Sequence, residues 1–396
     1  GWSFISLKQI SHYRRSNILF LMRRALLLFC LLLAVIPAVP ALSAPSSPSA
    51  PGAPPVPIIA AFYYPWYGNP TSDKKWVHWQ GVSASITFHP PQDVSSDFYP
   101  TLGAYSVRDV GTVTQHMAWL KQAGVAVIIA SWWGRDSFED KAIPLLMQEA
   151  AAAGIQVAFH LEPYTGRSAD STTADVQYLY DHYGSSPAFF RTGRGSFFNA
   201  AGKASGMFFL WNPGVQYNGG PAVDAAYWRS AADRIHALAD GGLLIVQSTD
   251  AAWVGDGHFD GAYSYADLDT NPPDWGRQLP AGAWFIPSVL PGFTAQRVGY
   301  PPATTRSRAG GEFYNRQWRS VLETGFTPPM ITVTSFNEWH EGTQIEPAAT
   351  GADSGRGYTY PSYDLAPSQY LDATMHWAAQ ARAVSASACA QALSVD

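Results

Sequence analysis

The sequence predicts an α/β fold, a (β/α)8 barrel of the TIM type forming a single catalytic domain. Short apolar runs of strand length recur eight times between residues 58 and 335, and helix-length amphipathic stretches lie between many of them. Alternation of buried strands with covering helices along one chain argues for a parallel sheet, and eight strands close such a sheet into a barrel. The third observation is chemical: glutamate, histidine and aromatic residues recur where the apolar runs end, the end at which barrels of this type place their active sites.

The elements follow in order. The run 58–64 (IIAAFYY) leads into Tyr63, Tyr64 and Trp66. A helix is expected over 108–122, with Gly124 placed to cap it, before the run 125–131 leads to Trp132 and Trp133. A helix over 139–153 stops at Gly154, and the run 155–160 ends in His160, Glu162 and Tyr164. After a helix over 173–183, the run 207–211 ends at Trp211 and Asn212. A helix over 222–239 precedes 243–247, which leads to Gln247 and Asp250; the run 259–263 leads to Tyr263 and Tyr265. The Pro- and Asp-rich stretch 267–282 is expected to be a long functional loop. A seventh run, 284–289, precedes a helix over 312–323 closed by Gly325. The eighth, 330–335, opens into Asn337, Glu338 and Glu341, and a last helix covers 368–382.

The N-terminal part divides differently. Residues 1–21 read as an upstream extension, with Met22 as the start of translation. Residues 22–44 read as a signal peptide or signal anchor, because Arg23 and Arg24 precede an apolar run of about fifteen residues. Residues 45–57 form a Pro-, Ala- and Ser-rich linker, 58–385 the barrel domain and 386–396 a C-terminal tail. The expected protein is therefore secreted, or membrane-anchored through its N-terminus and facing outward. Cys30 and Cys389 are its two cysteines, so removal of the signal leaves Cys389 without an intramolecular partner. Their spacing gives no zinc motif.

Composition narrows the partners. Charged residues make up 14% of the chain and its formal net charge is −5, so it has no basic footprint for nucleic acid. The 15 Trp, 20 Tyr and 20 Phe suit surfaces that are part apolar and part wet, as sugar rings are.

The densest polar cluster is SFNEWHEGTQIEP, residues 335–347, directly after the last strand-like run. Two carboxylates facing a glycosidic bond are the usual equipment for its hydrolysis, one as acid and the other as nucleophile or base. Glu338 and Glu341 are the candidates; Asn337 and His340 offer hydrogen bonds, and aromatics such as Trp339 a floor. The competing structural reading is helix capping or pairing with Arg306 or Arg308. In HLEPY, residues 160–164, Glu162 beside His160 reads as a substrate ligand or as the partner of a structural arginine. In SWW, residues 131–133, a stacking platform competes with core packing. Metal, nucleotide and acyl-enzyme chemistries lack their motifs. HEGTQ has no second histidine one turn on, no paired cysteines follow His160-Leu161-Glu162, and neither a G-x-S-x-G elbow nor a P-loop is present. No metal and no cofactor is expected.

SFNEWHEGTQIEP closely resembles the signature segment of glycoside hydrolase family 99, the endo-α-1,2-mannosidases and endo-α-1,2-mannanases. FYYPWYGNP and HLEPY resemble two further motifs of that family in the expected order, and the similarity extends over about 58–347. The resemblance implies a (β/α)8 barrel, no catalytic metal, and cleavage inside an α-mannoside chain with retention. It also implies an unusual route in which one glutamate, matched by Glu338, deprotonates the sugar's own 2-hydroxyl to close a 1,2-anhydro intermediate. The second, matched by Glu341, protonates the leaving oxygen and then activates water. By the same matching, His160 and Glu162 are ligands of the reacting sugar, Trp132 a platform for the neighbouring one, and Tyr64 and Tyr265 pocket residues. Asn337 and Trp339 join the substrate-binding set. Arg306 or Arg308 is implied to touch substrate, with Arg308 taken as the candidate. The expected substrate is α-mannan or a mannose-containing oligosaccharide, and the expected state a monomer. The segments 71–106 and 292–308 are where substrate choice would be set. Rival readings are a related enzyme of surface polysaccharide assembly, a non-catalytic glycan-binding barrel, and hydrolysis of another α-linked glycan.

Overall fold

The computed structural model describes residues 56–80, 88–192, 202–215, 221–266, 275–323 and 327–393, with side chains as far as 385. The expected extension, the signal segment, most of the linker, Gly325, the first part of the 267–282 loop and the side chains of the tail lie outside the described residues.

Ten strands are present among them: β1 (Ile58–Tyr63), β2 (Val127–Trp132), β3 (Gln156–Leu161), β4 (Arg191–Thr192), β5 (Ser205–Leu210), β6 (Leu243–Gln247), β7 (Gly261–Tyr263), β8 (Trp284–Ile286), β9 (Ser288–Val289) and β10 (Met330–Val333). Their order is β8-β7-β6-β5-β3-β2-β1-β10-β9, with β4 antiparallel beside β5. All other neighbours are parallel, as in Ala60 against Val127 and Ile59 against Ile331. The two ends of this order meet in the chain, since β8 and β9 are one strand interrupted at Pro287. Proline has no N–H for the ladder. Its carbonyl still accepts the Thr332 N–H at 3.0 Å, and Ser288 resumes pairing with β10. Counted this way, eight parallel strands close the barrel.

Successive side chains alternate across each strand. Ala60 and Phe62, Val127 and Ile129, Ala158, Met207 and Phe209, Leu243 and Ile245, Trp284 and Ile286 fill the interior. Ile59, Ala61 and Tyr63, Ile128, Ala130 and Trp132, Phe159 and Leu161 face the outer layer beneath the helices. Toward the C-terminal ends the inward positions turn polar, at Ser131, His160 and Tyr263. Gly261 permits the contact of β7 with β8, because a Cβ there would lie 2.3 Å from the Trp284 carbonyl oxygen.

The helices start where side chains satisfy free N–H groups. Asp109 caps Val110–Gln122, Asp224 caps Ala225–His236, and Ser168 forms a capping box with Ser171 on Ala169–Tyr183. That box starts the helix earlier than the expected residue 173. Ile143–Ala153 ends on Gly154 at φ 75°, as its position predicts. Val110–Gln122 buries Val113, Met117 and Leu120 as one stripe, each worth about 1.5–3 kcal/mol. A short helix, Ala252–Gly257, was not expected from the sequence.

Candidate active site

The loop after β10 holds itself together through its own polar groups. Ser335 Oγ accepts the Glu338 N–H at 2.8 Å, and a Glu338 carboxylate oxygen accepts the His340 N–H at 2.9 Å. Asn337 is fully buried and clamps Tyr64: its Oδ1 accepts the Tyr64 N–H at 2.7 Å and its Nδ2 donates to the Tyr64 carbonyl at 3.1 Å. Gly342, at φ 61°, lies so close to Thr294 that a Cβ would fall 2.4 Å from its methyl group. Arg308 Nη2 donates to the carbonyls of Gly342 and Gln344 at 2.9 and 2.8 Å. Glu338 and Glu341 are thus carried on a loop braced from three sides.

Opposite them, Tyr64 and Tyr265 hydrogen-bond through their hydroxyls, and the Tyr265 hydroxyl donates to Glu341 at 3.4 Å. Tyr265 takes the left-handed φ of 56°, rare for a bulky side chain. It is held there by its N–H, which donates to Ser288 Oγ, and by its carbonyl, which accepts from Thr334 Oγ1, both at 2.8 Å. On β3, His160 Nε2 pairs with the Tyr263 hydroxyl at 2.7 Å, while its Nδ1 lies 3.0 Å from Glu162 without hydrogen-bond alignment. Glu162 accepts the Ser131 hydroxyl at 2.8 Å. Arg167, also buried, ties the ends of β3 and β5 by donating to the carbonyls of Leu161 and Trp211 at 3.0 and 2.6 Å.

These groups form one electrostatic unit. Burial pushes the Glu338 carboxyl well above its ordinary range, and the charge of Glu341 adds to the effect. Burial likewise lifts Glu341 to about 7, with Glu162 adding to it and the Tyr265 hydroxyl opposing it. Like charges oppose one another's ionisation, so the charge state of Glu341 bears on that of Glu338 and the two do not titrate independently. Burial and the same carboxylates keep the Tyr64 and Tyr265 phenols protonated, hence able to donate. An aromatic stack continues from Tyr64 through Trp66 and His78 to His340, with centroids 4.5, 3.9 and 4.5 Å apart. Burial lowers His340 to about 4, so it is neutral. Among the described residues no three His, Cys, Asp or Glu side chains are grouped as metal ligands would be. The arrangement suits proton transfer at a sugar bound among aromatic rings.

Residues 57–383 match the family described as Glycosyl hydrolase family 99. The chain belongs to that family. A human glycoprotein endo-alpha-1,2-mannosidase-like protein is 31% identical over 363 residues, covering 81% of this chain and 75% of the relative. The mouse glycoprotein endo-alpha-1,2-mannosidase is 30% identical over 357 residues, with 81% and 74% covered. Among solved structures, the GH99 endo-alpha-mannosidase from Bacteroides thetaiotaomicron superposes with a TM-score of 0.70 at 30% identity, covering 83% of this chain and 98% of that one. The chain is accordingly a glycoside hydrolase.

Within this family-99 barrel, the structure brings Glu338, Glu341, Glu162, His160, Tyr64 and Tyr265 together and sets three expected substrate contacts, Trp132, Trp339 and Asn337, elsewhere. Trp132 stands on the outward face of β2, fully buried, its Nε1 donating to Asp140 at 2.8 Å, so no sugar can stack on it. Its neighbour Trp133 is half-buried and donates to Ser131 Oγ at 3.1 Å, beside Glu162. Trp339 is fully buried and donates to Glu346 at 2.8 Å, beneath the loop rather than in the cleft. Asn337 has its amide committed to the Tyr64 backbone. Arg308 lies over Tyr370, Tyr363 and Phe98, at 4.4, 4.9 and 5.0 Å, and lines an open cavity beside Gly342. Sequence reasoning missed His78 and Arg167. His78 sits in an irregular loop whose only signal was the aromatic density of WVHW, and Arg167 looked like any loop arginine.

Proposed function

We propose that the chain is an exported, endo-acting hydrolase that cleaves internal α-1,2-mannosidic linkages in mannan or mannose-rich glycans with retention, through a 1,2-anhydrosugar. The two buried carboxyls Glu338 and Glu341 on one loop, with the Tyr265 hydroxyl donating to Glu341 and the Tyr64 hydroxyl bonded to that of Tyr265, carry this reading. Glu338 takes the proton from the 2-hydroxyl, whose oxygen closes on C1 as the C1–O bond to the leaving sugar breaks, and Glu341 gives its proton to the departing oxygen. In the second step Glu341 takes a proton from water, the water oxygen attacks C1 and opens the ring, and Glu338 returns its proton to O2. Two inversions at C1 give net retention.

The route needs Glu338 ionised and Glu341 protonated. Glu338 is the more deeply buried, which opposes that, but backbone N–H groups of His340 and Glu341 favour its ionised form. Tyr265 bridges the two sides of the cleft, and His160 and Glu162 offer groups for hydroxyls of the reacting sugar. The test is product release from an α-1,2-branched mannan. Short oligosaccharides from the wild type, absent with Glu338→Gln and with Glu341→Gln, support the reading, and release of free mannose alone refutes the endo mode. Export is tested by locating the protein in culture supernatant, membrane and cell fractions.

A further inference from the structure

We infer that Asp97 is a positioning residue, acting through Thr294 to hold Glu341 where it can protonate the departing oxygen; this rests on the function proposed above. The two carboxyls of the site are fastened differently. Glu338 is fixed within its own turn, its carboxylate accepting the His340 N–H at 2.9 Å and its N–H donating to Ser335 Oγ at 2.8 Å. The Glu341 carboxyl has, among the described residues, one side-chain hydrogen bond, from the Tyr265 hydroxyl at 3.4 Å, which is long for an O–H donor. Its place in the cleft is therefore set mainly by its backbone.

That backbone is held from residues 96 and 97. Ser96 is fully buried, and its Oγ donates to the Trp339 carbonyl at 2.8 Å while accepting the Phe98 N–H at 3.2 Å. Two residues further along the turn, the Glu341 carbonyl accepts the Thr294 N–H at 2.7 Å. Asp97 fixes Thr294: one carboxylate oxygen accepts the Thr294 hydroxyl, and the other accepts from Arg297 Nε at 3.2 Å. Arg297 is itself anchored, donating to the Tyr358 hydroxyl and lying over that ring at 4.5 Å. On the other side, Phe293 exchanges backbone hydrogen bonds with Arg306 at 2.9 and 2.8 Å. With its methyl group against Gly342, Thr294 bears on both residues of the Glu341–Gly342 peptide.

Asp97 acts by geometry. The proton affinity of Glu341 is set by burial, by Tyr265 and by Glu162. Without Asp97 the Thr294 hydroxyl loses its acceptor, and the strut that meets the Glu341 carbonyl is no longer fixed. A general acid contributes about 10²–10⁴-fold, and a displacement of about 1 Å forfeits much of it. The loss falls on leaving groups that need a proton, because Glu338 keeps its own fastenings.

The test is leaving-group dependence. Aryl α-mannobiosides with phenols ranging from dinitrophenol to phenol carry no sugar beyond the bond that breaks, so they report on the acid and not on the binding of a longer chain. Asp97→Ala is expected to lower kcat/KM by about tenfold for the phenyl substrate and by less than about twofold for the dinitrophenyl one. Asp97→Asn keeps an acceptor for the Thr294 hydroxyl and should restore most of the loss. Thr294→Val removes that hydroxyl alone and should repeat the Asp97→Ala pattern, so it decides the matter if thermal unfolding shows Asp97→Ala to be misfolded. An equal fall with every phenol, or no fall with any, refutes the inference and leaves the functional reading standing. A wild type inert toward the dinitrophenyl substrate, whose phenol leaves without an acid, refutes the functional reading and this inference with it.

Discussion

Glu341→Gln should stabilise this protein at alkaline pH while abolishing its activity. Glu341 is lifted from an ordinary 4.5 to about 7, chiefly by burial. A carboxyl whose folded-state pKa is raised contributes stability that is fully present below about 4.5, falls as pH rises, and is gone above about 7. The full difference corresponds to about 3 kcal/mol, and the partial solvent contact of Glu341 trims it to about 2 kcal/mol. Glutamine is never ionised, so the variant keeps at pH 8 what the wild type has lost. In thermal unfolding the midpoint should rise by about 3–5 °C over wild type at pH 8 and be nearly unchanged at pH 4. A variant less stable than wild type at pH 8, or shifted equally at both pH values, would refute the picture of a carboxyl held protonated by its surroundings.

Tyr265→Phe should lower kcat/KM by about a hundredfold with the fold intact, because it deletes the hydroxyl that donates to Glu341. That bond lowers the Glu341 pKa, so the alkaline limb of the pH–rate profile should move upward in the variant. Asn337→Leu leaves the buried N–H and C=O of Tyr64 without their side-chain partner and should cost about 2–4 kcal/mol in denaturant unfolding. The two adjacent tryptophans should separate cleanly. Trp132→Phe strips Asp140 of a donor and lowers stability by about 1–3 kcal/mol, whereas Trp133→Ala raises KM several-fold with little change in thermal midpoint.

The barrel was legible because its strands are buried on both faces and read as apolar runs, and its helices carry caps that are local in sequence. Boundaries drifted at local features that apolar patterning does not register: the Ser168 capping box draws one helix start forward, and Pro287 divides what reads as one run into β8 and β9. Site residues were legible in proportion to the length of their motif. Glu338 and Glu341 lie in a long polar segment with no core role available for their carboxyls. Trp132 and Trp133 show the limit. Adjacent residues on a strand point to opposite faces, and only the register of β2 against β3, with Ser131 opposite His160, shows which tryptophan turns inward.

The same loop shows why costly polar groups collect where an apolar strand ends. Of its three carboxylates, Glu346 is fully buried and accepts from Tyr105 at 2.7 Å and from Trp339 at 2.8 Å, with His116 Nε2 at 3.2 Å. Both bonds fall on one oxygen, and the other has only the unaligned imidazole of His116 beside it. Glu346 is thus tied into the packing beneath the loop, whereas Glu338 and Glu341 lie beside the Tyr64 and Tyr265 phenols, where burial raises their proton affinity. Replacing Glu346 with glutamine tests this division of labour. Stability should fall, because a buried acceptor set becomes half donor, while the pH dependence of whatever activity remains should keep the wild-type limbs. A profile displaced as far as that of Tyr265→Phe would instead place Glu346 within the titrating unit.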